Sequence, residues 1–169
     1  MEAIADTSFL IDWARYSKRH LLHALFQVVN IPESVLGEIY SENTLGWITE
    51  ELAAGRMALF TETEDVITLA RRVISLSRSL PMRGVDLPEA ICLVAGLKFG
   101  YVVLTENGGA AMAPSFIQEL SNVKVMRAID VLYELSLRGV LNLREEVERY
   151  QRETGHRFAK RDLKRIGVE

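Results

Sequence analysis

The sequence predicts an α/β protein, a parallel sheet of about four to five strands buried under helices on both faces. Three observations carry that expectation. Short apolar runs rich in Ile, Val and Leu alternate with longer stretches of helical periodicity. The junctions between them hold the residues that start and stop helices. Polar side chains, several of them acidic, recur where the short runs end, which is where open α/β sheets place their ligands.

Taken in order, Ala3-Ile4-Ala5 reads as the first strand, ended by Asp6, with Thr7 and Ser8 leading into a helix from Phe9 to Arg15. Phe26 to Ile31 is the second strand, and Pro32, with its preset φ, opens a helix from Glu33 to about Ser41. Leu45 to Ala54 is apolar at helical spacing and stops at Gly55, a natural C-cap, before a short strand from Met57 to Phe60. Val66, Leu69, Val73, Leu76 and Leu80 share one face of a helix that Pro81 halts. Asp86-Leu87-Pro88 opens a strongly apolar helix, Glu89 to Phe99, closed by Gly100. Tyr101 to Leu104 is a buried strand, and Thr105-Glu106-Asn107-Gly108-Gly109 reads as the loop after it. Phe116 to Leu120 reads as helical and Val123 to Met126 as the last strand. A helix from Ala128 to Arg138 follows, broken at Gly139, and a polar helical tail ends the chain.

The 169 residues suit a single domain, and 49% hydrophobic with 25% charged residues is ordinary for a soluble globular chain. No apolar run reaches the ~18 residues that cross a bilayer. The N-terminus lacks the basic region and cleavage site of a secretory signal, so a cytoplasmic location is expected. Cys92, the single cysteine, falls in an apolar run and is expected to be a small buried hydrophobe. His20, His23 and His156 lack the spacing of a zinc site, and the first two are expected on solvated surface. The net charge of −3 does not advertise nucleic acid, and the mixed charges from Arg144 to Arg165 read as a solvated helix face. Arg15, Lys18, Arg19 and Arg83 are candidate phosphate contacts.

Four places carry acids or amides that a parallel sheet could bring together. Asp6 ends the first strand; Glu38 lies in the helix after the second; Asp86 and Glu89 flank the start of the apolar helix; Glu106 and Asn107 follow the strand ending at Leu104. Each has a purely structural reading: Asp6 as an N-cap, Glu38 as a solvated helical acid, Asp86 with Glu89 as a capping box, Asn107 as a turn residue. Jointly they suggest more. Carboxylates held close together repel one another unless a cation neutralises them, and hard oxygen ligands suit Mg²⁺ or Mn²⁺. Such an ion can activate water for an in-line phosphodiester displacement with no nucleophilic side chain.

Ile4-Ala5-Asp6-Thr7-Ser8-Phe9-Leu10, then Val35-Leu36-Gly37-Glu38-Ile39, then Glu89 to Ala95, and finally Gly100 with Val103-Leu104-Thr105-Glu106-Asn107 follow one another in an order and spacing that resembles the PIN-domain family. The similarity spans roughly Met1 to Met126. It implies a three-layer α/β/α fold with a central parallel sheet over residues 1–126, and leaves residues 127–169 as a C-terminal helical extension packed on the same domain. PIN domains are metal-dependent ribonucleases, and many prokaryotic ones are the toxin of a VapBC-type toxin–antitoxin pair. The resemblance therefore implies a Mg²⁺- or Mn²⁺-dependent endoribonuclease leaving a 3′-hydroxyl and a 5′-phosphate, with RNA as substrate, a small antitoxin as partner and a homodimer as the assembly. It makes Asp6, Glu38 and Glu89 the metal-binding acids, puts Asn107 in the fourth catalytic position, and gives Thr7, Ser8 and Thr105 a part in positioning metal and phosphate. Two features depart from the usual pattern: Glu89 stands where Asp is commoner, and Asn107 removes a negative charge that Glu106 or Asp86 could restore. Those departures keep open a PIN-like fold without catalysis, a binding or assembly module.

Overall fold

The computed structural model describes residues 1–168, so Glu169, the last residue of the expected extension, lies outside the described residues. Five strands form one sheet: β1 (Glu2–Ala5), β2 (Val28–Pro32), β3 (Met57–Phe60), β4 (Val102–Leu104) and β5 (Val125–Met126). Nine α-helices accompany them among the described residues: α1 (Thr7–Ala14), α2 (Glu33–Gly37), α3 (Glu42–Ala53), α4 (Glu64–Ser79), α5 (Leu87–Phe99), α6 (Gly108–Phe116), α7 (Ala128–Leu137), α8 (Leu143–Thr154) and α9 (Lys160–Arg165). The architecture is the expected α/β one, an all-parallel five-stranded sheet flanked by helices. Among the described residues no helix is long and apolar enough to cross a membrane.

The order across the sheet is β3-β2-β1-β4-β5. The chain winds outward from β1 through β2 to β3, then returns past β1 to lay down β4 and β5 on the other side. β1 and β4 are therefore the neighbours at which winding reverses, and the crevice beyond their C-terminal ends is the natural ligand position in an open α/β sheet. Register is set by burial on both faces: Ile4 stands opposite Asn30 of β2 and Val103 of β4, and Ala5 opposite Leu104. Ala3, Ile4, Ala5, Val103 and Leu104 are all fully buried.

Helix α5 explains why its sequence shows no amphipathic stripe. It packs on β1, β2 and β4 and against α4, and every residue from Ala90 to Gly96 is buried. A helix covered all round reads as uniformly apolar. Gly96 is needed for that approach: a Cβ there would stand 2.9 Å from Val103 Cγ2 and from Val123 Cγ1.

Four expectations differ from what forms. The helix after β2 ends at Gly37 rather than near Ser41, and Ser41 instead caps α3 by accepting from the Thr44 N–H. Thr105 to Gly109 is only in part a loop, because Gly108 already belongs to α6, while Phe116 to Leu120 is the end of α6 followed by a 3₁₀ turn. Gly108, Gly109 and Pro114 hid α6 from a reading by propensity. His23 lies not on solvated surface but within the 3₁₀ turn Arg19–Ala24, its side chain 10% exposed and its Nε2 3.0 Å from Glu51 Oε2. Burial outweighs that carboxylate and lowers the His23 pKa. Cys92, as expected, is buried.

Candidate carboxylate site

Asp6 follows β1 directly, in extended backbone at the mouth of the reversal point. Its carboxylate Oδ1 accepts from the Phe9 N–H at 3.0 Å and from Ser8 Oγ at 2.7 Å, so the capping role is real. Oδ2 does something capping does not require. It accepts from Oγ1 of Thr105, the first residue past β4, and so ties the ends of β1 and β4 together where the winding diverges. The backbone supports the same closure, with the Asp6 N–H donating to the Leu104 carbonyl at 3.0 Å.

From Asp6 the contacts spread to the other expected residues. Thr105 Oγ1 also accepts from the Asn107 N–H at 2.9 Å. Asn107 caps α6, its Oδ1 accepting from the Gly109 and Ala110 N–H groups at 2.9 and 3.2 Å. Its Nδ2 donates to Glu89 Oε1 at 3.2 Å. Glu89 completes the expected capping box by accepting from the Asp86 N–H through Oε2 at 3.1 Å. On the other side Thr7 Oγ1 donates to Glu38 Oε2 at 2.7 Å, and Glu38 is exposed at the C-terminal end of α2. All seven expected side chains thus belong to two short relays meeting at the start of α1: Glu38 to Thr7, and Glu89 through Asn107 and Thr105 to Asp6, with Ser8 on its other oxygen.

Charge is stored here without compensation. Burial raises the Asp6 pKa above its ordinary value despite the hydrogen bonds from Thr105, Phe9 and Ser8. Burial likewise raises that of Glu89, and the Asp6 charge adds to the effect. Among the described residues, none of Asp6, Glu38 and Glu89 forms an ion pair. Three carboxylates with no internal cation fit a hard divalent ion in donor chemistry. They do not form a ready-made cage, since among the described residues no three His, Cys, Asp or Glu side chains are grouped to hold a metal.

Two expectations about neighbouring charges need correction. Glu106 does not supplement Asn107 in this cluster. Its side chain turns away, accepting from the Ala128 N–H through Oε1 and from Arg127 Nε at 3.3 Å through Oε2. Of the basic residues near α1, Arg15 donates to the Thr154 carbonyl at 3.4 Å, Lys18 pairs with Glu146 at 2.6 Å, and Arg19 bonds the Ala14 carbonyl at 2.9 Å. All three thus already make contacts within the fold. Arg83 is exposed.

The charges of the tail do form the expected solvated face, with Arg144, Arg152, Arg157, Lys160, Arg161, Lys164 and Arg165 exposed, and its other face packs on the domain. Glu146, Val147, Tyr150, Thr154 and Phe158 are buried. Ser17 N–H and Oγ bond Glu153 at 2.8 and 3.0 Å, and His156 Nδ1 lies 3.0 Å from Asp12 Oδ2 on α1. Sequence reasoning missed this contact layer because its polar residues are satisfied by partners some 130 positions away; the Glu146–Tyr16 separation, for example, is 130 residues. The one available signal was the set of Val147, Tyr150, Thr154 and Phe158 at spacings of three and four. Compared with known proteins, the sequence matches no protein-family model and no curated protein.

Proposed function

We propose that the protein is a Mg²⁺- or Mn²⁺-dependent endoribonuclease with its centre at Asp6. The observation that carries this reading is a buried carboxylate, with no cation partner among the described residues, at the C-terminal end of β1 where the sheet reverses its winding. Asp6, Glu38 and Glu89 are the side chains that would hold the ion. Once bound, it would lower the pKa of an attacking water and stabilise charge developing on the phosphate.

The chain's own residues prepare that site. Ser8 and Thr105 each donate to a different oxygen of Asp6, which fixes the plane of the carboxylate. Thr7 restrains Glu38, and Asn107 restrains Glu89, so neither long acid is left to swing freely. Asn107 adds direction without charge and, bonded to Glu89, orients water or a phosphate oxygen. Substrate RNA reaches the site from the open side, where Glu38 is exposed.

The test is cleavage of a mixed RNA pool with MnCl₂, with EDTA, and by Asp6→Asn. Cleavage that needs the ion and disappears in the variant supports the reading; metal-independent cleavage, or none at all, overturns it. A second reading is favoured by the Asn107–Glu89 bond, which satisfies the site internally, and by the lack of a preformed three-ligand group among the described residues. In that reading the protein is a PIN-like binding module, and Mn²⁺ would leave its stability unchanged.

A further inference from the structure

The C-terminal extension reaches the back of the carboxylate site through one side chain. His156 follows Gly155, the left-handed C-cap that ends α8, and its imidazole stands between two acids. Nδ1 lies 3.0 Å from Asp12 Oδ2 on α1. Nε2 lies 3.4 Å from Glu106 Oε2, an ionic contact without hydrogen-bond alignment. Glu106 is the residue between Thr105 and Asn107, and its side chain is 5% exposed. Its backbone N–H donates to Ser8 Oγ at 3.0 Å, and Ser8 Oγ donates to Asp6 Oδ1 at 2.7 Å. A chain of contacts therefore runs from the extension to the central acid.

We propose that His156 is a positioning residue for this site: held between Asp12 and Glu106, its cationic ring locks the Thr105–Asn107 segment so that the Glu106 N–H keeps Ser8 aimed at Asp6. The idea rests on the nuclease reading for its effect on cleavage, and on geometry alone for its effect on the segment. The burial of Glu106 supports it. A carboxylate this enclosed needs cations and donors around it, and Arg127 Nε, the Ala128 N–H and His156 are the ones supplied. Arg127 is itself shared with Asp162 of α9 at 3.0 Å, so two parts of the extension converge on one acid.

The groups facing His156 set its response to pH. Asp12 of α1 and Glu106 beyond β4 favour the charged ring, Arg127 ahead of α7 opposes it, and Tyr150 of α8 and Phe158 pack on the ring without carrying charge. The balance raises its pKa above the ordinary value, Asp12 contributing most. The lock is complete below the ordinary histidine value and is released as pH rises through the elevated one.

The test compares full-length wild type with His156→Gln, which keeps a donor and loses the charge. Near pH 6 the variant should cleave RNA with kcat about tenfold lower and KM unchanged, and the gap should close as pH rises. In a Ser8→Ala background, His156→Gln should cause no further loss. A fall equal at every pH, or additive with Ser8→Ala, would mean that the residue merely stabilises the fold and would overturn the proposal. If His156→Gln does not fold by circular dichroism, Asp12→Asn, which weakens the hold on the ring while keeping an acceptor, should give the same pH-dependent loss; a pH-independent one overturns it. Should wild type neither bind Mn²⁺ nor cut RNA, the nuclease reading falls on its own. Amide hydrogen exchange at Glu106 then decides: faster exchange in His156→Gln near pH 6 supports the lock, and unchanged exchange overturns it.

Discussion

Asn107 Nδ2 donates to Glu89 Oε1 at 3.2 Å, so the uncharged member of the site is also what restrains one of its acids. An aspartate at position 107 would turn that donor into an acceptor facing another carboxylate. Asn107→Asp should destabilise the metal-free protein at neutral pH by about 1–3 kcal/mol, through a lost hydrogen bond and like-charge repulsion. Added Mn²⁺ should recover more stability in this variant than in wild type, because the extra charge strengthens the ion's hold. Thermal melts of both proteins with and without MnCl₂ check it, and equal shifts would refute it.

Metal binding should be visible as stability before any cleavage is measured. An ion at ~100 times its Kd adds ~2.7 kcal/mol to the folded state, which for a chain of this size raises Tm by roughly 5–10 °C. Asp6→Asn should show no such rise, since it removes the buried acid to which Ser8 and Thr105 both donate. A similar Mn²⁺ shift in the variant would place the ion elsewhere.

The pH dependence of the same substitution has a definite sign. Because burial raises the Asp6 pKa, the native state holds its proton more tightly than the unfolded chain. The associated stability is present below the unfolded value, ordinarily 3.8, and is lost as pH rises through the native one. Asparagine mimics the protonated acid and keeps an oxygen for the Phe9 cap. The stability of Asp6→Asn relative to wild type should therefore grow as pH rises from the ordinary carboxylate range and then level off. Urea melts across that range test this, and a difference that shrinks with rising pH contradicts it.

Gly96→Ala probes the close contact of α5 on β4. With neighbours at 2.9 Å on two sides and the Tyr101 carbonyl at 3.2 Å, the added methyl displaces packed side chains and should cost about 1–3 kcal/mol. Helix propensity alone would favour alanine by ~1 kcal/mol, so a stabilised variant would show that the contact is looser than described.

The alternation of strands and helices was legible because it depends on local patterns. Apolar runs such as Tyr101 to Leu104 announce strands, and Asp6 and the Asp86–Glu89 pair mark helix starts within three or four residues of the groups they cap. The missed helix α6 begins with two glycines and contains a proline, so tertiary packing overrode poor local propensity. The candidate residues other than Glu38, which caps the C-terminal end of α2, were legible because each sits at a strand end or helix start. How they connect was not.

What the sequence determined by itself is the order of elements and the identity of the polar residues at their junctions, because periodicity and capping act over a few positions. Only the tertiary structure decided which junctions meet. Asp6 and Thr105 are 99 residues apart and touch because β4 is laid beside β1. Glu106, one position on, turns instead toward Arg127 and His156, although nothing in its immediate neighbours distinguishes it from a site acid. Adjacent residues in extended backbone project to opposite sides, so a single step along the chain separates a group facing the crevice from one buried against the extension.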